Sequence, residues 1–113
     1  MDVSVIIPVY NERNTIFEVV QRVQKQPFDK EIIIVDDCST DGTAQMLKQT
    51  DWPDNVRVFF HQKNKGKGAA LRTGIPHATN AITIIQDADL EYNPDDFGVV
   101  LKPILDGVAD VVY

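Results

Sequence analysis

Cysteine is nearly absent from this chain of 113 residues: Cys38 stands alone. No disulfide can form within the chain, and a single thiol is compatible with an intracellular setting. Basic residues are outnumbered, 11 Lys and Arg against 17 Asp and Glu, for a formal net charge of −6. That balance argues against a generic nucleic-acid binder, which usually carries a basic face. Long apolar runs are missing as well. None approaches the ~20 residues that span a bilayer. No secretory signal is visible, because Asp2 stands in place of a basic leader and the apolar run at 3–9 is too short. There is no internal repeat and no low-complexity segment. Neither G-x-G-x-x-G nor G-x-x-x-x-G-K-[ST] occurs. His61 and His77 lie far apart without soft ligands nearby, so both read as structural and not as a zinc pair.

What is present is one domain's length of chain with 43% hydrophobic residues, enough for one modest core. Apolar, β-branched runs at 3–9, 31–37, 56–61 and 81–86 predict strands. Pro8 cannot donate to a ladder, so pairing should loosen there. Arg57 interrupts the third run and suggests an edge strand. Between the runs lie helical patterns. Asn14 or Thr15 can cap a helix carrying Ile16, Val19, Val20 and Val23 on one face, ended by Gln26-Pro27. Ser39, Thr40 or Asp41 can cap a second helix running to about residue 49. A third is expected over about 69–78, with Leu71 and Ile75 on one face and Pro76 shortening it. A fourth is expected over 95–106, with Phe97, Val100, Leu101 and Ile104 as its stripe and Pro103 as a local conflict. A fifth strand begins at 109–113. Strands alternating with helices predict a mostly parallel α/β sheet with helices on both faces.

In a parallel sheet every strand ends on the same edge. The polar clusters Tyr10–Glu12, Asp36-Asp37, His61–Gly68 and Asp87–Glu91 should therefore share one rim, where open α/β sheets bind ligands. Tyr10, Asn11 and Glu12 offer what a nucleoside needs, or form an ordinary loop. Asp36 and Asp37 point to opposite faces, so only one is expected to face a ligand; it can accept from a base N–H or ribose hydroxyls, or else cap a helix or form a salt bridge. The basic, glycine-rich stretch Lys65-Gly66-Lys67-Gly68 resembles an anion cradle at a helix start. Arg72 could reach the same anion, although pairing with a surface carboxylate is the simpler expectation. Cys38 reads as a small buried filler.

Asp87, Asp89 and Glu91 emerge at alternate positions after an apolar run. Alternate side chains of an extended segment share a face, which would crowd negative charge unless a cation sits among it. Two readings stand. One is an Asp-x-Asp site for Mg²⁺ or Mn²⁺ and a diphosphate. The other is a solvated acidic turn before the helix that Asn93-Pro94 would start.

Taken together, Val5-Ile6-Ile7-Pro8-Val9-Tyr10-Asn11-Glu12, the stretch Ile33-Ile34-Val35-Asp36-Asp37-Cys38-Ser39-Thr40-Asp41-Gly42-Thr43, Asn64-Lys65-Gly66-Lys67-Gly68 and Asp87-Ala88-Asp89 resemble the family 2 glycosyltransferases. The form Gln86-Asp87-Ala88-Asp89-Leu90-Glu91-Tyr92 is most similar to the polyprenyl-phosphate sugar transferases. The resemblance covers the whole chain. It implies a Rossmann-like GT-A nucleotide-binding half and inverting transfer of a sugar from a UDP- or GDP-sugar to an acceptor, with a lipid phosphate the expected one. It implies that Pro8, Tyr10, Glu12 and Asp37 line a nucleoside pocket with Lys67 beside it. Asp87 would contact nucleotide or metal, and Asp89 and Glu91 would hold the divalent cation. Cys38 stands where the family commonly has Gly, Asn80-Ala81 where Gly-Asp is frequent, and Glu91 where the subgroup often has Gln. The chain is expected to be the N-terminal part of a longer, cytoplasmic enzyme, with acceptor-site residues beyond Tyr113 and no turnover by itself.

A nucleotidyltransferase would carry a glycine- and arginine-rich loop after the first strand, where this chain has Tyr-Asn-Glu. A haloacid-dehalogenase phosphatase puts its Asp-x-Asp after the first strand, not the fourth. A receiver-like signalling domain places its acidic pair after the first strand as well, and needs a Lys after the fifth.

Overall fold

The structure is a computed structural model that describes residues 2–86 and residue 88. Eight elements follow in order: β1 (Asp2–Val9), α1 (Ile16–Gln24), β2 (Asp29–Asp36), α2 (Thr43–Gln49), β3 (Val56–Phe60), α3 (Lys67–Gly74), a 3₁₀ turn (Ile75–His77) and β4 (Ile82–Ile85). The helix expected over 95–106 and the strand expected at 109–113 lie outside the described residues.

The four strands form one sheet in the order β3-β2-β1-β4, and every neighbouring pair is parallel. β3 lies at an edge of this described sheet, as Arg57 suggests. Side chains alternate between the two faces. On one face Val3, Val5, Ile7, Val9, Ile32, Ile34 and Ile84 pack against Ile16, Val19, Val20 and Val23 of α1 and Leu47 of α2. On the other, Ile6, Ile33, Val35 and Ile85 pack against Ala70 of α3. Helices therefore cover both faces. The chain steps outward from β1 to β2 to β3 with helices on one side, then returns across the opposite face through α3 to β4. A single crossover hand requires that change of face when the direction reverses.

Pro8 loosens pairing on one side only. Gln86 N donates to Ile6 O at 2.9 Å, and Asp37 N donates to Val9 O at 2.8 Å. Pro8 shares Ile6's parity, so its missing N–H faces β4, and the β1–β4 register ends at Ile6↔Ile85. The β2 side continues through Pro8↔Val35 to Val9↔Asp36. The α3 helix starts two residues before the expected position 69, and Pro76 converts its end into the 3₁₀ turn.

At the N-terminal edge of the sheet, Glu31 accepts from Ser4 Oγ (2.8 Å), Thr79 N (2.8 Å) and Arg57 Nη2 (2.9 Å). This ties the entry of β4 to β1, β2 and β3. Burial pushes the Glu31 carboxyl up, but these hydrogen bonds outweigh it and hold it below its ordinary pKa.

Candidate functional site

The opposite edge gathers the polar clusters. The strands end at Val9, Asp36, Phe60 and Ile85, and the segments leaving them are cross-linked. Asn11, in the left-handed conformation at φ 54°, donates its main-chain N–H to Ser39 Oγ at 2.9 Å. Its Oδ1 accepts from Thr40 N at 2.7 Å. Its side chain thus clamps the loop after β1 to the loop after β2, instead of standing ready for a nucleoside. The clamp leaves Tyr10 outward, 45% exposed, the one large hydrophobic side chain so exposed among the described residues. Pro8 is half-buried, and Glu12 is half-buried just before α1.

The two aspartates separate as alternation requires. Asp36 turns back on its own loop, accepting from Ser39 N (3.0 Å) and Ser39 Oγ (2.6 Å). Asp37 reaches across to the loop after β3. Its carboxylate accepts from His61 Nδ1, Lys65 N and Gly66 N, each at 2.8 Å. It is only 4% exposed. Burial pushes this carboxyl up, while the His61 and backbone hydrogen bonds, with the His61 charge, pull it further down, so it lies below the ordinary Asp value. His61 Nε2 meets Thr73 Oγ1 of α3 at 2.7 Å. Thr73, His61, Asp37 and the 65–66 turn are therefore one connected array. A base or ribose that sought Asp37 would compete with three internal donors.

This geometry corrects two expectations, for the 65–68 stretch and for Cys38. The 65–68 stretch does cradle an anion, but at Lys65 and Gly66 that anion is Asp37 of the same chain. Gly66 sits at φ 93°, ψ 165°, a region open essentially to glycine, and that conformation turns its N–H onto the carboxylate. Arg72 pairs with no carboxylate among the described residues. Its Nη1 lies 3.3 Å from where a Cβ on Gly68 would stand. Cys38 is half-buried, not a core filler. Its φ of 61° is the conformation that makes glycine comfortable at such a position.

Lys67 opens α3 at this rim and its side chain is exposed. The start of α1 shows the remaining link. Thr15, expected to cap the helix, makes no side-chain cap bond. Its hydroxyl instead reaches the carbonyl of Ala88 at 2.5 Å and Glu12 Oε2 at 3.0 Å. Ala88 is 3% exposed and belongs to the core on the α1 face. The segment after β4 is thereby pinned against the segment after β1. Asp87, Asp89 and Glu91 themselves lie outside the described residues. As a donor set, three carboxylates suit a hard divalent cation. Among the described residues no group of three His, Cys, Asp or Glu is gathered as a metal set.

The sequence pattern did not show His61, Asn11 and Thr15 as organisers of this rim. Their partners lie 24, 28 and 73 positions away, beyond any local pattern.

The chain is similar to known proteins in sequence and in fold. The family model described as Glycosyl transferase family 2 matches residues 4–113. A dolichol-phosphate mannosyltransferase of Pyrococcus furiosus is 34% identical over 109 residues, covering 95% of this chain and 31% of that protein. A UDP-N-acetylglucosamine–dolichyl-phosphate N-acetylglucosaminyltransferase of Methanococcus voltae is 33% identical, covering 97% of this chain and 50% of its own length. The chain thus spans half or less of these two relatives. Among solved structures, the mannosyltransferase PcManGT of Pyrobaculum calidifontis, in complex with GDP-Man and Mn²⁺, superposes with a TM-score of 0.73 at 32% identity. That superposition covers 83% of this chain and 29% of the mannosyltransferase. The parallel sheet with helices on both faces is that of the GT-A glycosyltransferases, and the chain belongs to glycosyl transferase family 2.

Proposed function

We propose that this chain is the nucleotide-sugar-binding part of an inverting, metal-dependent transferase that moves a sugar from a nucleoside-diphosphate sugar to a polyprenyl phosphate. The observation that carries this reading is the rim at β1 and β4. Strand order reverses there, the position where α/β sheets take ligands, and Tyr10–Glu12 and residues 86–88 are joined there by the Thr15–Ala88 bond. The relatives' donors and acceptors, GDP-Man, UDP-N-acetylglucosamine and dolichyl phosphate, support the substrate class.

In this reading the exposed ring of Tyr10 and the flanking Pro8 and Glu12 border the nucleoside. Asp37 contributes by fixing the turn that leads to Lys67, which stands beside the diphosphate. Asp87, Asp89 and Glu91 hold Mg²⁺ or Mn²⁺, which supplies positive charge against the departing diphosphate. A lipid-phosphate acceptor is already anionic and needs no general base. A sugar hydroxyl would need one. We expect the chain alone to bind nucleotide without turnover, since the acceptor-site residues are expected outside it. No helix among the described residues is long and apolar enough to cross a membrane.

Calorimetric titration with UDP and GDP, each with and without Mn²⁺, tests the proposal. Metal-dependent binding of one nucleotide, abolished in Asp89→Ala, is the expected result and names the donor's base. A folded chain that binds neither, in this length and in a longer one, removes the reading.

A further inference from the structure

Lys67 opens α3, yet α3 has little apolar bulk with which to hold its own position. Its buried residues are Ala70 and Gly74, whereas α1 buries Ile16, Val19, Val20 and Val23. A face of such small residues lets the helix lie close to the sheet, but few side chains interlock to stop it sliding along its axis. Polar contacts supply that stop near both ends. Just before the helix, Lys65 N and Gly66 N each donate to the Asp37 carboxylate at 2.8 Å. Thr73 lies six residues after Lys67, roughly 9 Å further along the axis. Its Oγ1 meets His61 Nε2 at 2.7 Å, and His61 Nδ1 meets the same Asp37 carboxylate at 2.8 Å. One carboxylate and one imidazole thus tether the beginning and the end of α3 to the same point of the rim.

The His61 and Asp37 side chains are 6% and 5% exposed, so water competes little for these bonds. The Thr73 hydroxyl suits either state of the ring, accepting from a protonated Nε2 and donating to a bare one. Every member is a protein group, so the link forms on folding and not on binding. We propose that His61 and Thr73 are positioning residues that set where α3 presents Lys67 to the diphosphate of a nucleotide. Neither needs to touch the nucleotide. They act through Asp37 and the helix, and ordering Lys67 in advance removes part of the cost of binding. The inference rests on the nucleotide-sugar reading above and adds to it two residues outside its ligand set.

The test compares the chain with Thr73→Val, Thr73→Ser and His61→Asn. Valine keeps the β-branched shape without the hydroxyl, and serine restores the hydroxyl. Asparagine keeps a donor near the place of Nδ1 but cannot reach Thr73. UDP and GDP are titrated in MnCl₂ beside uridine and guanosine, which lack the diphosphate, and the readout is the ratio of diphosphate to nucleoside affinity. Thr73→Val and His61→Asn should each lower that ratio about fivefold, the equivalent of one net hydrogen bond, with nucleoside affinity unchanged. Thr73→Ser should recover most of it. Lys67→Gln should lower the same ratio, and adding Thr73→Val to it should cost little more, because both act on one contact. An unchanged ratio in Thr73→Val overturns the inference, whether neither affinity moves or both fall alike, as they would for a purely structural hydroxyl. So does a Thr73→Val loss that adds in full to Lys67→Gln. If the unaltered chain binds neither nucleotide, the proposed function fails first and takes this inference with it.

Discussion

Asp37 shows how much one side chain does at this rim. An isolated carboxylate at its depth would be costly to keep charged, but three donors converge on it, and its carboxyl is held below the ordinary range. The folded chain therefore releases this proton more readily than the unfolded chain. The stability it contributes is in place above the unfolded Asp pKa of about 3.9 and is lost as pH falls from there through the lower folded value. Glu31 and Asp41 are shifted the same way, Glu31 against its burial and Asp41 chiefly through its hydrogen bond from the Thr43 hydroxyl. Asp37→Asn should cost about 2 kcal/mol at pH 7, in the range for hydrogen bonds to a charged group. It should also flatten the loss of stability as pH falls below about 4, through the lowered folded value. Denaturant unfolding at a series of pH values measures both, and parallel acid limbs for the two proteins would contradict the assignment. Sequence could nominate Asp37 as a ligand-facing carboxylate. It could not show that backbone N–H groups 28 and 29 positions on would reach it first. Cys38 was misread for a related reason, since composition says cysteine is buried while only the backbone reveals its left-handed φ.

At the scale of elements, the strands were legible and the helix termini less so. Runs such as Ile32–Val35 are fully buried on both faces, which is why a parallel strand reads as unbroken β-branched sequence. Helix ends depend on local backbone conformation that composition does not encode: Gly42, at φ 98°, precedes α2, although Asp41, one of the expected caps, does accept from Thr43 N at 3.0 Å. The position of α3 rests on Gly74. A Cβ there would stand 2.9 Å from Ile6 Cγ2 and 3.3 Å from Val35 Cγ2, and both neighbours are stiff at χ1. Overpacking of this kind costs about 1–3 kcal/mol, against about 1 kcal/mol gained in helix propensity. Gly74→Ala should therefore lower stability by about 1 kcal/mol, seen as a reduced Tm in thermal unfolding. A higher Tm would mean that α3 has room to lift from the sheet.

The whole molecule is a parallel sheet with two unlike edges. The N-terminal edge is closed by Ser4, Thr79 and Arg57, each donating to Glu31. The C-terminal edge presents exposed Tyr10, the lysine-rich loop and the approach to the acidic segment. That polarity was legible from the order of strands and loops, because parallel strands send their following loops to one side. The pairing of loops across the rim, Asn11 with Thr40 and Thr15 with Ala88, needed coordinates. The measurement that tests the account most directly is amide mapping by NMR, with UDP or GDP added in the presence of Mg²⁺. The account predicts perturbed amides at residues 10–12, 37–38, 64–68 and 86–89, with those around Ser4, Glu31 and Thr79 unmoved. Perturbations centred on that N-terminal edge, with the rim silent, would contradict it.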